Sequence, residues 1–584
     1  MSLRLWLPLN GDLHNQGLIN ATPTVGGTSI AVNNSGKIGK CYSFGTASGY
    51  IDIPVTDIKK ISGSCTIAFW LNVRSFNTAY ATVFSANRYS AAWAEEMLTF
   101  QRDNNTSAYT FHISNGTSST TNACKTGTLS TGVWYHFVLI ADVELGQMRI
   151  YQNGELITTY NTSIIPNLGS ILNFRIGVSN GGYQADMLLN DFRLYDEVLS
   201  VKEIRELSKG LVLHYPLNRG GFGADNLSTN SGDLTLWNKE SGITCVWDFD
   251  KQMYKIQSTS TSSRWGIWQQ VSCEPNTTYT FSVDGMKVDQ TMYLSVGSMA
   301  SGGWPPNQNA FTTKRNLLSY TWTTGSDHTI IRMYLAIYPT ADGSKTGYYA
   351  LPKLELGDIP TPWIPNSADT LYSSMGLDSN IVYDVSGYQN NGTITGTLNY
   401  SSDTPKYSVS TAFDGTQKIV TSSFTSEIKT MSAWVKTTKN KNTSQLVCAD
   451  SASKLCISFY RGCIISYFAS SGHSTGSRCT LGSSYIENGW NHIVVISTGS
   501  GTRDVYCNGV KLTPTNNDYW SPAAGFLIGS RNTSSGLIPF YGSISDVRAY
   551  ATALSADDVL ELYHTPASIT NNGMLMTQGE LSEV

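Results

Sequence analysis

The residues best able to do chemistry in this chain are aromatic rings set beside planar polar side chains. The stretch SSRWGIWQQ places Trp265 and Trp268 next to Arg264 and Gln269, SGGWPPNQN puts Trp304 in a Gly/Pro-rich loop, and Tyr293 stands on a neighbouring apolar run. Such a set suits a sugar, whose C–H face stacks on an indole or phenol while its hydroxyls bond to guanidinium and amide groups. Trp304 is the leading ligand candidate, because a loop tryptophan is less readily absorbed into a core. Trp265 and Trp268 are three residues apart, so on a strand they face opposite sides and at most one lines a given face. Trp93 in NRYSAAWAEE and Trp520 in NNDYWSPAAG are further loop aromatics, suited to a ligand or a neighbouring subunit. Trp247 and Trp322 sit in apolar strand contexts and are expected in a core.

Bond-breaking chemistry is poorly supplied. Glycoside hydrolysis needs two carboxylates flanking the bond, one protonated and one ionised. Glu95 and Glu96 are sequence neighbours, so on a strand they point to opposite faces. Asp142 and Glu144 share a face, but the position two before Asp142 is Ile140. His136 and His492 each follow a strand tryptophan, which suits packing, and no G-x-S-x-G, P-loop or dinucleotide fingerprint accompanies them. Asp191 and Asp546 are the acids a calcium ion would use, yet calcium takes about six or more oxygens and one acid per copy supplies too few. Hydrogen bonding at a strand end is the favoured role for both. No CxxC pair starts a zinc site. The expectation is a binding protein with no enzymatic activity and no cofactor, structural calcium being the only metal in view.

These residues must be carried by strands. The 584 residues include 52 Gly, 32 Tyr and 14 Trp, with only 14% charged. That composition, with its many short Ser/Thr/Asn-rich stretches, predicts an all-β chain, and the length predicts about three or four cores. The formal charge is −4 and no Lys/Arg run occurs, so neither nucleic acid nor a membrane surface is an expected partner. No apolar run reaches transmembrane length, and residues 2–10, broken by Arg4 and Pro8, are too short for a signal peptide. Synthesis in a cytoplasm is expected. The ten cysteines divide three, two and five among the segments derived below, which is awkward for a disulfide framework. Small buried thiols are expected, with Cys456 and Cys463 the pair placed to face each other across a hairpin.

The chain repeats itself. LRLWLPLN (3–10) returns as LVLHYPLN (211–218), TIAFWLNV (66–73) as TMSAWVKT (430–437), and GVWYHFVLIA (132–141) as NGWNHIVVIS (488–497). RIYQNGELI returns as DVYCNGVKL, and NDFRLYDEVLSVKEIREL (190–207) as SDVRAYATALSADDVLEL (545–562). Trp70 thus aligns with Trp434, His136 with His492, and Asp191, Arg193 and Tyr195 with Asp546, Arg548 and Tyr550. Each Asn-Gly predicts a hairpin turn. Ser200 three before Glu203, and Ser555 three before Asp558, predict a capped helix after the strand ending at Tyr195 or Tyr550. The spacing breaks in one place: Pro216 to Phe413 is roughly 160 residues longer than Pro8 to Phe44. A whole module is therefore expected after the first strand of the second copy, and residues 211–218 should pair with strands beyond residue 376.

The module reads as strands TTYTFSVDGM, TMYLSVGS, LSYTWTTG, TIIRMYLAIYP and YYALPKLELG, alternating with period two between Gly, Pro and Asn breaks. The expected architecture is all-β, with three antiparallel β-sandwich domains, the middle one inserted into the third. The expected segments are 1–209, then 210–222 plus 367–564, with 223–366 inserted between them. Residues 565–584 form a polar tail with a Met-Leu-Met centre, suited to an interchain strand.

These landmarks resemble the laminin-G-like branch of the concanavalin A-like lectin/glucanase superfamily. The motifs that carry the resemblance are LRLWLPLNG, the W-x-H strands, the Y-x-N-G hairpins, the D-x-R-x-Y strand with its following helix, and the VYDVSGYQNNG that resumes at 382. The resemblance implies two-sheet jelly rolls. It also implies that glucanase relatives would carry Glu-x-Asp-x-Glu on one strand, which this chain lacks. The module's opening, DNLSTNSGDLTLW, and its end, LELGDIPTPWIP, resemble carbohydrate-binding modules of bacteriophage tail proteins. That resemblance implies a virion protein on a tail or other adsorption surface, with a host cell-surface glycan and other virion proteins as partners. Weak single contacts would favour a homo-oligomer, a trimer in a fibre setting. A structural decoration protein and a polysaccharide depolymerase are the alternatives.

Overall fold

The computed structural model describes residues 3–217, 226–298, 316–338, 346–357, 366 and 381–576. Within those spans it leaves out 18, 20, 89–94, 121–123, 180, 232, 249–250, 252, 259–264, 289–290, 383, 385, 402, 406–409, 422–426, 441–442, 451–454, 467–477, 499–502, 517–524, 534–535, 565–568 and 572–573.

Alternation builds the first sandwich. In Cys65–Val73, Ile67, Phe69 and Leu71 enter the core, where Phe69 meets Phe84, Phe100, Phe137 and Phe192 at centroid distances of 5.7–6.0 Å. Ala68 and Trp70 face the other way. The sheet carrying this strand runs Glu155–Asn161, Gln147–Gln152, Trp134–Asp142, Cys65–Val73, Met187–Tyr195, Cys41–Phe44, Ile30–Asn33. Leu3–Leu7 also lies beside Met187–Tyr195. The facing sheet runs Cys124–Lys125, Tyr109–Ile113, Glu96–Arg102, Thr82–Asn87, Asn173–Ile176, Gly49–Ile53, Thr24–Gly27.

The second sandwich repeats the order: Asn399–Ser401, Ser410–Asp414, Tyr541–Tyr550, Thr430–Thr437, Asn491–Ser497, Arg503–Cys507, Val510–Lys511. Leu211–Tyr215 takes the place of Leu3–Leu7, pairing with Tyr541–Tyr550 in the register Leu213↔Ala549, His214↔Arg548. Residues 384–391 fasten this strand. Asp384 accepts from His214 N at 2.8 Å, Asn390 Nδ2 donates to Val212 O at 2.7 Å, and the Tyr215 hydroxyl donates to Asn390 O. In the first copy Asn15 does the work of Asp384, accepting from Trp6 N at 2.9 Å.

In the chain between that strand and the rest of its sheet come two further sheets with their own core of Phe281, Val283, Ile331, Leu335, Tyr349 and Leu354. One runs Asn238–Lys239, Trp265–Ser272, Ile330–Tyr338, Thr291–Ser298; the other runs Ile243–Asp248, Met253–Ser258, Thr346–Leu356, Thr278–Lys287, Asn316–Thr323. Within LELG, Glu355 pairs with Lys353 at 3.3 Å, both fully buried. Trp322 is half-buried against this core, as expected. Trp247 is not in the core: it lies on the edge strand Ile243–Asp248, 36% exposed, and packs edge-on against Tyr254.

Each sandwich closes with a helix, α1 (Val201–Ser208) and α2 (Ala556–His564). Ser200 and Glu203 form a complete capping box. Ser555 and Asp558 exchange the same pair of bonds, at 3.1 and 2.9 Å. The sandwiches share one hydrophobic cluster, in which Trp6, Trp70 and Tyr195 join Tyr388, Val547 and Ala551. Trp6 meets Tyr388 edge-on at 5.8 Å, Ala551 N donates to Gly210 O at 2.9 Å, and Lys209 Nζ reaches Glu561 at 2.7 Å. In the tail, Ile569–Asn571 pairs with Met574–Met576, so the Met-Leu-Met segment lies in a short hairpin within the chain. All ten cysteines are free. Cys463 lies opposite Tyr460, and Cys456 does not face it.

Candidate functional site

The aromatic set singled out above falls on the four-stranded sheet between the sandwiches. In Trp265–Ser272, Ile267 is buried and Val271 packs on the core, so odd positions face inward. Trp268 and Gln270 are on the opposite parity, half-buried and exposed respectively. The register Trp268↔Tyr334↔Ser295 and Gln270↔Arg332↔Gly297 sets one row of residues beside the next. Tyr293 occupies the position across Ala336 from Gly266, two residues along. Gly266 and Ala336 are buried beside the half-buried Trp268. Glycine is required there, since a Cβ on residue 266 would lie 2.0 Å from Leu335 O.

The polar groups are held in place. The Arg332 guanidinium lies 4.2 Å from the Trp268 ring centroid, a cation–π contact. The Gln270 amide, oriented with its oxygen toward Arg332, accepts from Nε at 3.2 Å and Nη2 at 2.9 Å. Glu240 accepts from the Tyr334 hydroxyl and from Gly266 N. A guanidinium held over an indole and bonded to a neighbouring amide loses little freedom on binding. Arg332 and Tyr334 were missed in the sequence because they lie inside the apolar run TIIRMYLAIYP. Their parity with Trp268 was the available signal.

Gln269 does not join this face. It shares parity with Ile267, and its Nε2 donates to Thr229 O at 2.8 Å and Thr229 Oγ1 at 3.0 Å. Trp265 lies opposite Ile337 in the backbone register. Arg264, Trp304, Trp93 and Trp520 lie outside the described residues.

The aspartates weighed as calcium ligands have other work. Asp191 accepts from Trp6 Nε1 at 2.6 Å and Arg193 Nε at 2.9 Å. Asp546 accepts from Arg548 Nε at 2.8 Å and lies 2.9 Å from His214 Nε2. Both adopt left-handed backbone, φ 56° and 50°, and their N–H groups donate to Pro8 O and Pro216 O. Each sits at a register break of its strand, between Asn190 and Arg193 or opposite Ser432 and Trp434. Aspartate tolerates this conformation better than most residues. Among the described residues no group of three or more His, Cys, Asp or Glu side chains is arranged to hold a metal ion.

Three of the four carboxylates weighed for hydrolysis are likewise engaged, and the fourth, Glu144, is exposed. Glu95 is bonded by Arg88 at 2.7 and 2.8 Å, Glu96 is buried and accepts from Ser85 Oγ, and Asp142 pairs with Arg149. Burial takes His136 down to about 3, so it is neutral at ordinary pH.

Comparison with known proteins bears on the fold. No curated protein matches the chain in sequence. Domain 4 of an extracellular arabinanase from Geobacillus stearothermophilus, solved with arabinotriose, is 19% identical over 35% of this chain and 98% of its own, with a TM-score of 0.26. The CBM40 of the Ruminococcus gnavus IT-sialidase is 20% identical over 26% of this chain and 85% of its own, at 0.23. A botulinum neurotoxin type C structure, described by its dependence on two ganglioside molecules, is 13% identical over 60% of this chain and 97% of its own, at 0.29. None superposes closely enough to transfer a ligand. A laminin G family model described as concanavalin A-like lectin/glucanases superfamily matches residues 44–205 and again 411–560, more than half of the chain. The chain therefore belongs to the concanavalin A-like lectin/glucanases superfamily, in two copies.

Proposed function

We propose that this is a non-enzymatic glycan-binding protein whose ligand lies at the partly exposed Trp268, Gln270 and Arg332 of the module's four-stranded sheet. The observation that carries the reading is the half-exposed Trp268 with Arg332 pinned on its ring by Gln270. The indole supplies a stacking surface and the guanidinium supplies oriented donors. Engagement of the candidate acids by arginine and serine supports binding without cleavage. The proposed setting is a bacteriophage tail or comparable adsorption surface, with a host-surface glycan as partner, supported by the resemblance of the module's opening and LELGDIPTPWIP end. A single such contact is weak, so useful avidity needs several copies, a trimer in a fibre setting.

A glycan array probed with the wild-type chain and with Trp268→Ala tests this. A subset of glycans should bind the wild type, and the variant should lose about tenfold or more, the worth of roughly 1.4 kcal/mol of stacking. Unchanged binding by Trp268→Ala would remove the site. Release of reducing ends from a bound polysaccharide would remove the non-enzymatic reading.

A further inference from the structure

The arginines that brace the two sandwiches each answer a carboxylate. Arg88 pairs with Glu95, Arg149 with Asp142, Arg193 with Asp191 and Arg548 with Asp546. Arg332 of the module has no such partner among the described residues. Within the chain it meets one indole and one neutral amide, Trp268 and Gln270. Glu240, which follows the edge strand Asn238–Lys239 of the same sheet, is spent on the Tyr334 hydroxyl and on Gly266 N. Gln270 stands on one side of Arg332 in the ladder, and the position on the other side is Gly297. Glycine has no side chain with which to answer the charge.

The unused donors lie along one edge. The Gln270 oxygen takes Nε and Nη2, which is the side-on edge of the guanidinium. Nη1 and the second Nη2 hydrogen form the end-on edge, and neither bonds to a described residue. Arg332 is half-buried, and Nη1 is not shut off from solvent. Two parallel N–H donors match the two oxygens of a carboxylate, and charge makes such bonds roughly twice as strong as neutral ones. A sugar hydroxyl would use the donors and leave the charge unmet.

We propose that this site takes an acidic sugar, its carboxylate held by the Nη1–Nη2 edge of Arg332. The inference rests on the glycan-binding reading above and narrows it to glycans that carry a carboxylate. Gln270 is then a positioning residue, which fixes the guanidinium plane and supplies no charge. A glutamate there would satisfy Arg332 from within the chain and close the site to an anion. Hexuronic acids and sialic acids both offer the required group.

Matched glycans test the charge apart from the sugar. The full chain is titrated with oligogalacturonate against its methyl ester, and with sialyllactose against lactose. At least one acid should bind about tenfold or more tighter than its uncharged partner. Preference for galacturonate identifies a uronic acid as the source, and preference for sialyllactose a sialic acid. Gln270→Glu should erase the preference, as should Arg332→Gln, while Arg332→Lys keeps only part of it. Circular dichroism and thermal unfolding check each variant. Gln270 is exposed, so Gln270→Glu carries the test if the Arg332 variants do not fold. An acid preference kept by folded Gln270→Glu puts the carboxylate elsewhere and overturns the proposal. Equal binding of acid and uncharged partners, lost in Trp268→Ala, also overturns it and leaves the glycan site standing. With none of these glycans bound the acidic-sugar inference falls, and the Trp268→Ala array decides the glycan-binding reading alone.

Discussion

At the end of its long strand the first sandwich sets Asp191 against an indole, and the second sets Asp546 against an imidazole. The backbone is the same in both: a left-handed aspartate, a proline carbonyl capping its N–H, and an arginine two residues on. Only the residue on the opposing first strand differs. Trp6 is large enough to reach out of its sandwich, where Arg193 lies 4.4 Å over its ring and donates to the Tyr388 hydroxyl at 3.3 Å. His214 stays within its own sandwich, fastened by Asp546 and, through its backbone, by Asp384. One motif thus serves as a joint in the first copy and as an internal brace in the second.

The largest test of that contrast removes the shared acceptor. Asp546→Ala takes the carboxylate from the buried Arg548, and Asp191→Ala does the same to Arg193, each at about 3–5 kcal/mol. Hydrogen exchange should show the Asp546→Ala damage confined to the second sandwich and the Asp191→Ala damage extending to residues 384–391. Identical footprints would break the comparison. Gly387→Ala comes next. Its Cβ would lie 1.9 Å from the Trp6 ring at a backbone φ of 90°, so about 1–3 kcal/mol of overpacking and strain should fall on the joint alone.

Acid should separate the copies by smaller steps. His136, taken down to about 3 by burial, is neutral when folded and protonates more readily when unfolded. The first sandwich should therefore lose up to about 1.4 kcal/mol per pH unit as pH falls from near 6.5 toward 3. Burial raises Asp384 to about 6 despite the N–H groups of His214, Ser386 and Asn390 bonded to it. Its folded form binds a proton before the unfolded form does, so its contribution to the second sandwich rises as pH falls from 6 toward 4. Exchange protection followed against pH in His136→Phe should flatten the first slope and leave the second. The smallest effect is at the helix starts, where Ser200→Ala and Ser555→Ala should each cost about 1 kcal/mol, read as fraying of α1 or α2 alone.

Period-two alternation and the repeated landmarks made the strands of both sandwiches legible, because each strand buries one face and the pattern is local. The left-handed aspartates were legible as hydrogen-bonding residues from their place at a strand end. What joins the copies was not. Trp6 and Tyr388, or Lys37 and Ala551, lie hundreds of residues apart in the chain, and neither shows local periodicity. On the module, Trp268 stands out in the sequence as a tryptophan, while Arg332 lies hidden in an apolar run and the Gln269 bond to Thr229 has no local signal.

The interrupted first strand also sets a timetable. His214 and its partner Asp546 are 332 residues apart, so at about 5–20 residues per second a ribosome makes Leu211–Tyr215 roughly 15–65 s before the strand that covers it. During that interval the first sandwich is already complete upstream, and the module's own strands are emerging downstream. A nascent LVLHY segment is therefore a waiting β-edge, and a chain stalled anywhere before residue 541 carries it unpaired.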